Sequence, residues 1–578
     1  MAMNSSYLLV AAIDFGTTYS GYAFSLKYAF DKDPLTIDAN QAWNAGGKQL
    51  LSLKTPTCLL LDSNKHFDSF GYEAENKYAE IVMENEQDKY YYFHRFKMCL
   101  HKNKNVSREM ILKDITGKSM PAIDVFALSI MALKNHLISY LVTKGTGVES
   151  RDIRWVLTVP AIWTDNAKYF MRESAEKAGI PKDNLLLALE PEAASIYCQY
   201  LPTEKFTGIE PGFTMSEPGT KYMIVDIGGG TADITVHKKL SDGCLKELCR
   251  ATGGKCGGTC VDSEYIQMLI SILGESLIEI FKRENPESYL DLIREFETKK
   301  RTITFSPDTK KVNMVIPMTV VNKLCKTHIN KDFKSALASS QFSDSIVIRG
   351  DKVRIDTDVF KKLFDKTIAD ILELIQEIFK MKKANSLNQI LLVGGFSTCV
   401  LVQEAVRREF SNCRVVIPFD PDLAVLKGAV LFGHKSDLIS SRISKFTYEI
   451  SFNPKFDSAI HDDKHRKFID GFWRCRHAFD KIVEKDTVIR IGATIQRTYK
   501  PQKDYSKTWF KIYASENYDP VHTTEDGCFF LGKVAIDLSN SERRKGLEVE
   551  FTFGNTELGL TAIETKTGIK CNAQFALI

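Results

Sequence analysis

One pattern occurs twice in this chain and narrows what it can fold into. Near the start an apolar run, Tyr7 to Ile13, ends in Asp14-Phe15-Gly16-Thr17-Thr18-Tyr19, and a second apolar run, Tyr22 to Leu26, follows at once. Much later Tyr222-Met223-Ile224-Val225 runs into Asp226-Ile227-Gly228-Gly229-Gly230-Thr231-Ala232-Asp233, and Ile234–His237 follows. Each unit reads as a β-hairpin with a phosphate-sized tip. Such a tip offers backbone N–H groups and hydroxyls as donors, and one carboxylate to hold a metal. A single Asp-x-Gly-Thr hairpin is also an ordinary turn. Two of them, facing each other from duplicated domains, would clamp a phosphate chain and hold Mg²⁺ between Asp14 and Asp226. Phosphoryl transfer to water then needs positioning, charge neutralisation and an acid or base that orients the water.

The segments between the two hairpins read as α/β. Ile153–Val159 and Leu185–Leu189 are apolar enough for buried strands, and Val125 to Leu141 has the spacing of a core helix. Thr164 or Asp165 suits the cap of a helix through Ala178, stopped by Gly179 and Pro181. Pro191 fits the first turn of a further helix, whose N–H groups face back to the preceding strand end. Asp31 to Lys54 reads as a polar surface excursion, Lys65–Gly71 as a turn region and Gly208–Gly219 as a loop. Tyr90 to Lys97 mixes aromatic and basic residues; it reads first as a packed edge, with one basic residue reaching a phosphate as the alternative. After the second hairpin comes a helical block, Val261 to Lys300, then strands near Thr302–Phe305 and Val312–Pro317. Ile390–Val393 is a strand, and Gly394-Gly395-Phe396-Ser397 turns it into a helix from Val400 to Phe410. Ligands of doubly wound sheets sit at such turns, and glycines let the backbone approach an adenosine.

Beyond about residue 435 short strand-like runs recur: Phe446–Ser451, Val488–Ala493, Trp509–Ala514, Gly532–Asp537, Leu547–Phe553 and Leu558–Glu564. Their spacing reads as an all-β sandwich. A length of 578 residues implies two to four domains. The net charge of +4 gives no case for nucleic acid or an anionic membrane. No run of about 18 apolar residues suggests a membrane span, and Tyr7–Ile13 lacks the basic flank of a signal peptide. The 13 cysteines are odd in number and scattered through apolar segments, which fits reduced thiols in the cytoplasm or nucleus. Cys244, Cys249, Cys256 and Cys260 lack a C-x2-C knuckle and read as buried or loop thiols rather than a zinc site. No P-loop, G-x-S-x-G or H-E-x-x-H motif occurs, which argues against those enzyme classes.

In combination these residues resemble the seventy-kilodalton heat-shock protein family, which shares the actin and hexokinase ATPase superfamily. Ile13 to Ser20 is similar to its first phosphate signature, Val225 to Asp233 to its second, and Leu391 to Gly395 with Pro421 to Ala429 to its third. The phrases Trp155 to Trp163 and Leu189 to Cys198 look like its divergent heat shock protein twelve branch. The resemblance covers about residues 7 to 435. It implies phosphate and Mg²⁺ contacts at Asp14, Gly16, Thr17, Thr18 and Tyr19, and at Asp226, Gly228, Gly229, Gly230 and Thr231, with Asp233 near the metal's waters. It implies a catalytic glutamate at Glu190, a phosphate-contacting lysine at Lys97, a purine-ribose helix carrying Glu297, Lys300 and Arg301, and an adenine-side turn at Gly394, Gly395 and Phe396. The family's serine is Phe396 here. Its J-domain docking residues appear as Leu189 and Glu192, and the arginine partner of its coupling proline (Pro160) as Lys168; lysine lacks the planar fork. These departures argue against stimulation by a J-domain co-chaperone.

Leu531 to Val534, Thr552 to Gly554 and Leu558–Lys570 resemble the family's peptide-binding β-domain, which implies binding of unfolded or extended peptides by strand addition. Asp437-Leu438-Ile439-Ser440-Ser441 is the nearest match to the interdomain linker, and no long helical lid is expected after the strands. The expected architecture is a duplicated actin-like, ribonuclease H-like ATPase at 1–435, with lobes at about 7–220 and 221–435 and a helical subdomain at about 261–345. A β-sandwich follows at 436–578. The expected function is an ATP/ADP-binding, chaperone-like switch with slow Mg-dependent hydrolysis. A nucleotide-sensing scaffold and a sugar kinase of the same superfamily are the alternatives.

Overall fold

The computed structural model of the protein describes residues 7–576, apart from 41–42, 44–52, 102, 105, 209–214, 216, 303–309, 385, 470, 500–506, 538–546, 554, 565–569 and 572. The duplication seen in the sequence is a duplication of sheets. Leu9–Phe15 pairs antiparallel with Tyr19–Leu26 and parallel with Ile153–Val159, which pairs parallel with Leu185–Leu189. Asp38–Ala39 lies outside Tyr19–Leu26. The second sheet repeats this order: Lys221–Ile227 pairs antiparallel with Ala232–Lys239 and parallel with Gln389–Val393, with Arg414–Pro418 and Leu245–Gly254 outside them.

Strand alternation then decides where the two acids point. Leu9, Ala11, Ile13 and Phe15 pack into the outer core of the first half, while Val10 and Ala12 pack between the sheets. Met223, Val225 and Ile227 likewise enter the second half's core, and Tyr222 and Ile224 the layer between. With a side-chain period of two, Asp14 and Asp226 are each the next residue on the inward-facing side. Helices Glu190–Tyr200 and Ala424–His434 fill the layer between the sheets and close it behind the acids. Each fully buried Val, Leu, Ile or Phe in these layers contributes about 1.5–3 kcal/mol of transfer free energy.

Helix Ala122–Thr143 has the length and the mean hydropathy, 1.5, of a membrane span. Yet Val125, Phe126, Ile130, Leu133, Leu137 and Leu141 are buried against the first sheet, as the core-helix reading expects. The helical block resolves into Gly258–Leu273, Glu275–Glu284 and Pro286–Thr302. Thr302 therefore ends a helix and does not open a strand, and 303–305 lie outside the described residues. Phe67–Phe70 is a strand paired with Cys58–Leu61, not a turn.

In the C-terminal part an antiparallel sheet of five strands, from Ala478–Val483 at one edge to Ala573–Ala576 at the other, shares one apolar cluster with a sheet of four. The expected strand Val488–Ala493 is broken at Gly492, whose φ is +73°. Val488–Arg490 pairs with Ile439–Ile443 in the large second sheet, while Ala493–Tyr499 joins the four-stranded one. Ile439–Ile443, the linker-like segment, is itself a strand, lying parallel to Leu245–Gly254.

Candidate functional site

The tip of the first hairpin is set by short polar contacts. The Gly16 N–H donates to Ser20 Oγ at 3.2 Å, Thr57 Oγ1 donates to the Gly16 carbonyl at 2.8 Å, and the two hydroxyls are 2.7 Å apart. The second tip packs directly on it. A Cβ on Gly229 would fall 2.2 Å from Thr18 Oγ1, so only glycine allows the loops this approach. The Gly394 turn closes in the same way: its φ is +89°, and a Cβ there would lie 2.3 Å from Asp226 Oδ1.

Between the loops lies a cleft with about 1140 Å³ of empty space, part of it open to solvent. All the expected phosphate-side residues border it: Asp14, Gly16, Thr17, Thr18, Tyr19, Lys97, Glu190, Asp226, Gly228, Gly229, Gly230, Thr231 and Asp233. So do the expected adenosine-side residues Glu297, Lys300, Arg301, Gly394, Gly395 and Phe396. Lys54, Gly258, Thr259, Thr398, Cys399, Asp422 and Val425 border it too and carry no signal in the motifs, except that Asp422 and Val425 fall in the third signature phrase. Lys54 corrects the reading of Asp31 to Lys54 as a surface excursion: its end returns to the cleft, although 41–42 and 44–52 lie outside the described residues.

The charges pair unevenly. Lys97, in the turn after strand Tyr91–His94, donates to Glu190 Oε1 at 2.8 Å, and Glu190 opens the helix packed between the sheets. Lys54 Nζ donates to Asp14 Oδ2 at 2.6 Å, while Thr158 Oγ1 donates to Asp14 Oδ1 at 2.8 Å. Burial works to raise the Asp14 pKa, but the two lysines and these hydrogen bonds hold it below the usual carboxylate range. Burial raises the Glu190 pKa, and Lys97 offsets this only in part. Asp226 is pushed far up by burial and by the charges of Glu190, Asp233 and Asp14. Asp233 is raised to about 8 by burial and Glu190, with Lys445 and Lys97 opposing. Both Asp233 oxygens are buried, and apart from a loose approach by the Ala161 backbone N–H they meet no donor among the described residues.

Four carboxylates thus share this end of the cleft with two ammonium groups. A divalent cation fits that donor set: it would relieve the repulsion that raises Asp226 and Asp233 and would give Asp233's poorly paired oxygens a partner, directly or through water.

On the other side, Lys300 Nζ sits 2.5 Å from both Asp262 and Glu297 and donates to the Gly258 carbonyl. Lys300 and Arg301 together hold Glu297 down to about 2 against its burial. The Arg301 guanidinium pairs with Glu297 at 2.7 Å and lies 4.3 Å over the Tyr19 ring, joining the purine-side helix to the first phosphate loop. Phe396 borders the cleft but is nearly buried, stacked on Phe364 at 6.4 Å and close to Gly258.

A second polar cluster lies two residues beyond Glu190. Glu192 takes a bidentate contact from Arg442 at 2.7 and 2.6 Å, buried on both sides. Arg442 lies on the linker-like strand, and the next N–H, of Ile443, donates to Glu247 Oε2 at 2.6 Å. The helix after Pro160 meets the C-terminal sheets through Tyr448 to Asp165 at 2.7 Å and the Arg172–Glu557 fork at 2.6 and 2.5 Å. Lys168, in the coupling arginine's place, stays on its own helix with Asp165 at 3.6 Å.

With this geometry in view, the similarity to known proteins is specific. The Hsp70 protein family model matches residues 82–438. The chain is 34% identical to human "Heat shock 70 kDa protein 12A" over 97% of its own length and 90% of that protein's. It is 33% identical to the mouse protein of the same name, and 31% to human "Heat shock 70 kDa protein 12B", with the same coverage.

Proposed function

The chain belongs to the Hsp70 protein family, and from that premise we propose that it is an ATP/ADP-binding, chaperone-like switch with slow Mg-dependent hydrolysis, whose C-terminal sheets engage peptides or a partner protein. The observation that carries the reading is the cleft: residues scattered from Asp14 to Phe396 border one space. The family implies nucleotide binding with a divalent metal, and the donor set around Asp226 and Asp233 fits one.

In this reading the two sheets form two lobes on either side of the nucleotide. Thr17, Thr18 and the Gly228–Thr231 backbone bind the phosphates, Lys97 positions the terminal one, and Glu297, Lys300 and Arg301 flank the ribose side. Asp226, Asp233 and, through its unshared lone pairs, Asp14 would hold Mg²⁺, which neutralises phosphate charge when bound. Glu190 orients the attacking water and accepts its proton; a carboxylate with a raised pKa is a better match for that task near neutral pH. The Glu192–Arg442 fork then ties the helix carrying Glu190 to the linker strand, which supports a route from nucleotide state to the C-terminal sheets. We take those sheets as the expected β-sandwich, with strand addition at a sheet edge as the binding mode; at Ala478–Val483 the start of the edge is already held by the Phe479 N–H, which donates to the Val521 carbonyl at 2.9 Å. Residence in the cytoplasm is part of the same proposal.

A sensor that binds nucleotide and hydrolyses little is the second reading, favoured by Phe396 in place of serine at the adenine turn. Single-turnover phosphate release separates the two, with Glu190→Ala as control. Release from the wild type that the variant lacks supports the switch, and no release from a nucleotide-bound protein supports the sensor. A phosphorylated sugar product would replace both with a kinase.

A further inference from the structure

Lys54 belongs to none of the phosphate motifs, yet it makes the closest charged contact at the first of them. Its ammonium lies 2.6 Å from Asp14 Oδ2, with 15% of the side chain exposed. The approach is built into the hairpin. Gly21 stands directly across the strand pair from Asp14. A Cβ on Gly21 would fall 3.0 Å from Lys54 Cγ and 3.2 Å from the Leu53 carbonyl oxygen, so Lys54 packs closely over the bare glycine. Thr55–Pro56, the next two residues, pair with Tyr19 and Ser20 and anchor the segment to the phosphate tip. Asp422 and Asp226 add to the negative field around the ammonium.

Among the described residues no ammonium pairs with Asp226 in the second hairpin. Opposite Asp226 in the register stands another acid, Asp233. One phosphate loop thus carries a fixed ammonium on its carboxylate, and its twin faces a second acid. An ammonium is a compact charge to which phosphate oxygens bind as they do to a metal ion, without the ion's demand for a full coordination shell.

We propose that Lys54 is an internal counter-ion of the phosphate site: it holds Asp14 and binds the phosphate chain of a nucleoside diphosphate, so that nucleotide affinity depends only weakly on Mg²⁺. The inference rests on the nucleotide reading above and concerns binding, not hydrolysis. Because coupling is reciprocal, nucleotide in turn changes the protein's affinity for Mg²⁺ only weakly.

The test is calorimetric titration of the full chain with ADP, in excess Mg²⁺ and in EDTA, for the wild type, Lys54→Met and Lys54→Arg. The wild type is expected to lose less than about tenfold in affinity on removal of Mg²⁺. Lys54→Met is expected to lose a further 10–100-fold or so in EDTA, the scale of a hydrogen bond to a charged group, while Lys54→Arg stays near the wild type. Equal Mg²⁺ dependence in the wild type and Lys54→Met overturns the proposal. So does a wild type that loses more than about 100-fold in EDTA, a result that needs no variant to fold. ADP binding by the wild type in neither medium would overturn the nucleotide reading instead.

Discussion

The hairpin at Asp14 and the hairpin at Asp226 have the same pairing, the same parallel neighbour and the same inward face, but their carboxylates meet opposite surroundings. Asp14 receives Lys54 and Thr158 and stays ionised. Asp226 meets Glu190 and Asp233 in a buried pocket, and its pKa climbs. Duplication therefore conserved the backbone that makes a phosphate tip and not the charge around it. The first loop is neutralised by the chain itself. The second holds acids that are costly to ionise together, and that cost is what a divalent cation would relieve.

The largest expected effect comes from removing the acid that presses on both members of the second hairpin. Glu190→Gln should slow single-turnover phosphate release by about 10²–10⁴-fold while leaving ADP affinity little changed. It should also lower the Asp233 pKa, since Glu190 is the main charge raising it. Next come opposite signs from equivalent positions. Asp14→Ala leaves Lys54 buried without its carboxylate and should cost about 3–5 kcal/mol in urea unfolding of the nucleotide-free protein. Asp226→Asn removes an acid that is costly to ionise in the folded chain and should raise stability. Two losses of equal size would erase the asymmetry between the hairpins.

A smaller effect is a pH slope. Asp233 and Glu247 both titrate near 8 in the folded chain, well above their ordinary values. An acid raised by folding contributes stability that is complete below its unfolded pKa and lost as pH rises through the folded one. The melting temperature of nucleotide-free protein should therefore fall between about pH 5 and 9, and Asp233→Asn should flatten the slope in part. The smallest effect sits across the cleft. Arg301→Gln removes a half-exposed guanidinium from the Tyr19 ring and should weaken ADP by a few-fold, in line with about 0.5–1 kcal/mol for an exposed cation–π contact.

Much of this was legible before any coordinates, because the phosphate tips are local. Asp-x-Gly-Thr after an apolar strand fixes the turn, and alternation along Leu9–Phe15 and Lys221–Ile227 fixes which way the acids face. Lys97 came from the family resemblance; the residues alone read Tyr90 to Lys97 first as a packed edge, with one basic residue reaching a phosphate as the alternative. Lys54 was not legible: it approaches from a polar segment and packs over Gly21, across the strand pair from Asp14. The partner of Glu192 was hidden as well. The glutamate looked like a lost docking residue, but its charge is answered by Arg442, 250 positions away in sequence. Pairings of that range depend on tertiary packing, as does the break at Gly492 that sends Val488–Arg490 to one sheet and Ala493–Tyr499 to another.

The central claim is that the two unlike hairpins together bind one nucleotide. Calorimetric titration of the full-length protein with ADP in the presence of Mg²⁺ tests it most directly. A single saturable site, with a dissociation constant below the order of hundreds of micromolar and lost in the double variant Thr18→Ala, Thr231→Ala, is the predicted result. No binding heat up to that concentration, with the protein folded, would contradict it.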